Sequence, residues 1–129
     1  GYFAALEACG IDGILLASPT TSDERLAMLA KRTRGFLYYV SLTGVTMARS
    51  ELPPGLEEGV ARIRAVSDVP VCVGFGISTP EQAAQVARLA DGVVVGSAIV
   101  DRIERAESRE AAVTEAAAFV ASLKTALRR

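Results

Sequence analysis

VCVGFGISTPEQAAQ (residues 71–85), followed by DGVVVGSAIV (residues 91–100), decides how this chain folds. Each stretch opens with an apolar run of strand length and closes in small residues: Gly74-Phe75-Gly76-Ile77-Ser78 in the first, Gly96-Ser97-Ala98 in the second. Both lead straight into helical sequence. After the first, Thr79-Pro80-Glu81-Gln82 places a cap, a first-turn proline and a capping-box partner in order. A buried strand, a glycine turn and a helix, repeated in succession, is the grammar of a parallel β/α fold.

Small residues at those junctions also have a chemical use. A phosphate is held without any cationic side chain when backbone N–H groups at turns and helix N-termini converge on it, because partial positive charge is concentrated there. Glycine lets an anion approach the main chain, and Ser97 adds a hydroxyl donor. In β/α barrels this site is built by the loops after the last two strands and the N-terminus of a short extra helix. Residues 97–104, cut off by Arg105-Ala106-Glu107-Ser108, read as that extra helix. Glycines after strands also serve plain tight turns, but two such turns on consecutive strands favour a phosphate grip, with Gly76, Gly96 and Ser97 as its candidates.

Outward from this core, four continuously apolar runs recur: GILLA (13–17), FLYYV (36–40), residues 69–74 and GVVV (92–95). Apolar residues without alternation predict parallel strands buried on both faces. Helical segments separate them. Thr21 and Glu24 read as a capping box ahead of Leu26, Met28 and Leu29. Leu56, Val60 and Ile63 give one apolar face, and Ser108 opens a last helix with Val113, Ala116, Val120, Leu123 and Leu127 turned inward. The order is α-β-α-β-α-β-α-β-α, with no linker or shift in composition, so residues 1–129 are expected to form one domain. A standard (β/α)8 barrel has eight strands in roughly 250 residues, so the fold class is α/β, with parallel units amounting to half of a TIM barrel. The chain also opens inside helical sequence, at Gly1-Tyr2-Phe3-Ala4-Ala5-Leu6, as expected of a segment of something larger.

Composition narrows the function. Half of the residues are hydrophobic and mean hydropathy is +0.31, the profile of a chain that is mostly core. Net charge is −1 with both signs interspersed, which leaves no basic footprint for nucleic acid and no polybasic membrane patch. No window approaches the roughly 18 apolar residues that span a bilayer, and no signal-peptide pattern opens the sequence, so a cytoplasmic location is expected. There is no histidine, and Cys9 and Cys72 are the only cysteines. A Cys/His zinc centre and a histidine-assisted nucleophile are thereby excluded. Cys72, inside a strand run, reads as a small buried hydrophobe.

With these units in place, the residues resemble the C-terminal half of the tryptophan synthase alpha subunit family. The resemblance is carried by Ala17-Ser18-Pro19-Thr20-Thr21 with Asp23-Glu24-Arg25, by Gly35-Phe36-Leu37-Tyr38-Tyr39-Val40-Ser41, by Thr43-Gly44-Val45-Thr46, and by the two glycine turns. The tyrosine-ended strand running into S-x-T-G-V-T is its most specific part. The resemblance implies a lyase that cleaves indole-3-glycerol phosphate to indole and glyceraldehyde 3-phosphate by a retro-aldol step, in tryptophan biosynthesis. It further implies phosphate contacts from the backbone at Gly76, Gly96 and Ser97, a pocket wall at Tyr38, and Thr46 on a mobile loop that closes over the site. Residues 41–54 are long enough for such a lid. Its implied partner is a beta subunit carrying pyridoxal phosphate, with no cofactor in this chain. Met47 departs from the family's usual glycine and Leu42 from a position that is arginine in some members; methionine keeps its N–H but disfavours positive φ.

The family's catalytic glutamate and aspartate belong to earlier strands, outside this sequence. Asp12, Asp68 and Asp91 precede strands, at the mouth opposite the expected active face, and Asp23, Glu24, Glu57, Glu58 and Glu81 sit at helix starts. Asp101 and Glu104 alone fall near the phosphate end, where surface solvation is their expected role. The chain by itself is therefore expected to bind phosphate weakly and not to catalyse the family reaction. Two alternatives stand beside this reading: a non-catalytic half-barrel that self-associates through its open sheet edges, and another phosphate-binding barrel enzyme.

Overall fold

The computed structural model describes residues 1–41 and 52–128. Ten elements follow one another: α1 Tyr2–Ala8, β1 Leu15–Ala17, α2 Asp23–Arg32, β2 Leu37–Val40, α3 Leu56–Val66, β3 Val71–Gly74, α4 Pro80–Ala87, β4 Gly92–Val93, α5 Ser97–Arg105 and α6 Arg109–Ala126. The alternation is the expected one. Its strands form one parallel sheet in the order β1-β2-β3-β4, each pairing with the next unit's strand. Leu16, Tyr38, Cys72 and Gly92 stand in one row across it. The sheet does not close on itself among the described residues.

The strands are shorter than the apolar runs that announce them, because the ladder is made only where neighbours overlap. Val94 N–H still donates to Val73 O at 2.8 Å, one residue past β4. Helices start at hydroxyl caps: Thr79 Oγ1 accepts from Gln82 N–H, and Ser108 Oγ from Ala111 N–H, both as read from sequence. The α2 cap differs from the expected one. Ser22, not Thr21, caps that helix by accepting from Arg25 N–H, while Thr21 Oγ1 turns back to accept from Ser18 N–H at 3.0 Å.

The core fills the space between the helices and one face of the sheet. Ala17, Leu37, Tyr39, Val71 and Val73 are buried there against Leu26, Leu56, Val60, Ile63 and Val86. The opposite face is not covered: Leu16 is 56% exposed, and Tyr38 and Cys72 are only half-buried. Two-sided burial, expected from the apolar runs, is therefore met on one side alone. Cys72 is corrected with it, from a buried hydrophobe to a half-buried thiol on the open face.

Two helix faces differ from the periodic reading. Met28 is exposed on α2, whose buried residues are Leu26, Leu29 and Ala30. On α6 the inward residues are Phe119 and Leu123, while Val113 and Val120 are exposed. Arg102 of α5 lays its guanidinium 3.4 Å from the centre of the Phe119 ring and donates to Ala98 O at 2.6 Å, adding a cation–π contact to the apolar packing of Phe119 and Leu123 in the core.

Candidate functional site

All four strands are parallel, so every strand-to-helix turn emerges at the same mouth of the sheet. Two of those turns carry the sequence-predicted residues. The chain leaves β3 through Gly74-Phe75-Gly76, where Gly76 takes φ +82°, a left-handed conformation that side-chain-bearing residues resist. It leaves β4 toward Gly96, the N-cap of α5, which has no side-chain cap hydrogen bond. The Ser97 and Ala98 amides precede the first intrahelical bond, Ile99 N–H to Gly96 O at 2.9 Å, and have no acceptor within the helix. Among the described residues, no heavy atom beyond its chain neighbours lies within 4 Å of where a Cβ would stand on Gly76 or Gly96. Because β3 and β4 are hydrogen-bonded neighbours through Val73 and Val93, the two open turns sit side by side.

No lysine or arginine occurs in residues 74–79 or 94–98, so the donors these two stretches themselves offer are main-chain N–H groups and hydroxyls, that of Ser97 among them. The first turn is firmly held. Gln82, buried, accepts from Ser78 N–H at 2.9 Å and from Ser78 Oγ at 3.3 Å, tying the end of the turn to α4. This is the sequence-read box partner reaching one residue farther back than the cap.

Tyr38 joins the same mouth from the neighbouring strand. It lies on the uncovered face, and its ring runs along the strand until the phenol oxygen covers Gly74; a Cβ on Gly74 would come within 2.5 Å of it. A side chain at 74 would thus have to displace the tyrosine, and the phenol ends beside the Gly74-Phe75-Gly76 turn. Thr46, with Leu42 and Met47, lies outside the described residues. The structure thereby brings Tyr38, Gly76, Gly96 and Ser97 to one end of one sheet.

The acids occupy structural posts. Asp91 Oδ2 accepts from Val71 N–H at 2.9 Å and lies 3.5 Å from Arg64, at the strand starts and away from the glycine turns. Asp101 pairs with Arg105 at 2.8 Å along α5. Among the described residues no group of three or more Cys, Asp or Glu is placed to hold a metal ion. Burial raises the Cys72 thiol pKa, and the charge of Asp91 adds to it.

A model of the tryptophan synthase alpha chain matches residues 2–128. The chain belongs to the tryptophan synthase alpha chain family. It is 55% identical over 118 residues to the alpha chain from Caulobacter sp. (strain K31), a match that covers 92% of this chain and 43% of that relative. Among solved structures, tryptophan synthase from Mycobacterium tuberculosis superposes with TM-score 0.81 at 41% identity, over 99% of this chain and 46% of that one. The alpha subunit from Legionella pneumophila superposes with TM-score 0.77 at 38% identity, over 97% and 45%. The chain thus spans less than half the length of these relatives, and its four-stranded sheet is a half-barrel.

Two residues near the mouth escaped the sequence reading as individuals. Ser41, directly after β2, is buried; its N–H donates to Gly74 O at 3.1 Å, and its hydroxyl has no hydrogen-bond partner among the described residues. Arg62, in the middle of α3, reaches across to the turn after β1. Neither leaves a local pattern, since each acts on residues far away in sequence.

Proposed function

We propose that residues 1–129 are the phosphate-gripping, C-terminal part of a tryptophan synthase alpha subunit, a lyase that cleaves indole-3-glycerol phosphate to indole and glyceraldehyde 3-phosphate. The observation that supports it is the pair of open glycine turns on β3 and β4, with the Tyr38 phenol beside the first. The substrate phosphate sits against the amides at Gly76, Gly96 and Ser97 and takes the Ser97 hydroxyl, while the indole lies along the uncovered face past Tyr38. Thr46 belongs to the segment that closes over the bound substrate.

The reaction breaks the bond between the indole ring and the glycerol phosphate chain. It needs one group to deliver a proton to the ring carbon and another to take the hydroxyl proton as the aldehyde forms. The part of the subunit outside these residues supplies those two acids. This chain's share is to hold the phosphate in place, so that binding energy from the non-reacting end positions the reacting end. The beta subunit is the partner that receives the indole, and pyridoxal phosphate belongs to that partner. Taken alone, the 129 residues bind phosphate weakly and release no indole.

The test is Gly96→Val in the full-length protein that carries these residues. Among the described residues the space in front of Gly96 is open, so the fold accepts the branch while the phosphate does not. Indole release is expected to show KM raised at least about tenfold, equivalent to roughly 1.4 kcal/mol, with an unchanged circular-dichroism spectrum. An unchanged KM would remove the phosphate from these turns.

A further inference from the structure

We infer that Arg62 is a positioning residue for the substrate pocket, acting by clamping the turn after β1 to α3. The turn, residues 18–22, emerges beside Tyr38's strand, since Ala17 pairs with Tyr39, and it opens at the same mouth as Gly76 and Gly96. It is knit to itself by hydroxyls: Ser18 Oγ lies 3.0 Å from Thr20 Oγ1, and Thr21 Oγ1 accepts from Ser18 N–H. Those bonds give the turn a shape but no place.

Between the paired strand β1 and the packed helix α2, one side chain from elsewhere in the described residues ties the turn down. The Arg62 guanidinium donates to Thr21 O at 2.7 Å and to Pro19 O at 3.5 Å, and through Nε and Nη2 to Asp23 Oδ1 at 3.0 and 2.6 Å. Among the described residues no other side chain outside the segment donates to residues 18–22. Only the planar fork of arginine serves two carbonyls and a carboxylate together. Arg62 is 31% exposed at its side chain, enough cover to make the carbonyl bond costly to lose, whereas Asp23 is 81% exposed and its charge is well screened. The carbonyl contacts, rather than the ion pair, are therefore the working part of the clamp. Tyr39, packed against Gly59 of the same helix, holds α3 to β2, so the turn is referred to the strand that carries Tyr38.

The assignment rests on the functional reading above, and its test separates the two. In the full-length protein, Arg62→Met is expected to raise KM for indole-3-glycerol phosphate about fivefold with kcat unchanged, as when a charge-assisted bond that places a pocket wall is lost. Asp23→Asn is expected to leave KM within about twofold, in keeping with a screened surface pair. Arg62→Lys, which keeps charge but not the fork, falls between them. Amide exchange of residues 18–22 is measured on the same variants and is expected to quicken in Arg62→Met. A lowered melting temperature with KM and exchange unchanged would make Arg62 a structural staple only and overturn the inference. If the parent protein fails to cleave indole-3-glycerol phosphate, the functional reading falls and the pocket role with it; the exchange data then decide the clamp alone.

Discussion

The two faces of the sheet are built from the same short strands and have opposite fates. Toward the helices, Leu37 and Val73 are fully buried, and every strand residue that points that way is packed. On the other side, one residue along each strand, Leu16, Tyr38 and Cys72 meet solvent in whole or in part. Nothing in composition separates the two sets, since both are apolar or aromatic. What separates them is a layer present on one side and missing on the other. The uncovered face is the lumen side of a barrel, and the site at its mouth is half of a pocket.

Substitution of one leucine on each face breaks or sharpens this comparison most strongly. Leu37→Ala in the isolated chain is expected to cost about 2–5 kcal/mol, the range for a core leucine, read from urea unfolding. Leu16→Ala, in the adjoining strand but on the open face, is expected to cost no more than about 0.5 kcal/mol in the isolated chain, as at an ordinary surface site. In the full-length protein Leu16→Ala should rise into the core range. Equal costs for the two in the isolated chain would mean that something already covers the lumen side.

The strands, their alternation with helices and the glycine turns at their ends were legible because each is a local signal: an apolar run, a glycine where the backbone turns left-handed at Gly76, a hydroxyl cap at Thr79 or Ser108. The apolar runs misled on burial, since the face that carries Leu16, Tyr38 and Cys72 is not covered. The misses share a cause. Helix α6 is so rich in alanine that its apolar pattern is nearly uniform around the axis, and its face is chosen by its two large buried residues, Phe119 and Leu123, with Arg102 stacked on the Phe119 ring. Thr21 and Ser22 are adjacent hydroxyls, and the choice of cap was made by Thr21 closing its own turn onto Ser18. Arg62 reads as an ordinary helix-surface charge until the fold brings it to a turn some forty residues earlier in sequence. Long-range polar contacts leave no period to read.

The two cysteines report the same contrast with a smaller effect. Cys9 is exposed beyond α1, while Cys72 stands in the central row of the open face with its thiol pKa raised by burial. Alkylation requires an accessible thiolate, so at pH 8 the exposed Cys9 is expected to react faster than Cys72, and raising the pH should narrow the gap as Cys72 ionises. In the full-length protein Cys72 should become unreactive at either pH. Labelling of Cys72 at the same rate in both would contradict a covered lumen.

The most direct test of the half-barrel is the solution mass of the 129-residue chain by light scattering on a sizing column, with binding of an apolar dye recorded alongside. An uncovered apolar face and two open strand edges predict that the chain does not persist as a plain monomer at micromolar concentration: it associates with itself, or it stays monomeric and binds the dye strongly. A monodisperse monomer that binds no dye would contradict the account, because the face that carries Leu16, Tyr38 and Cys72 would then need no second layer.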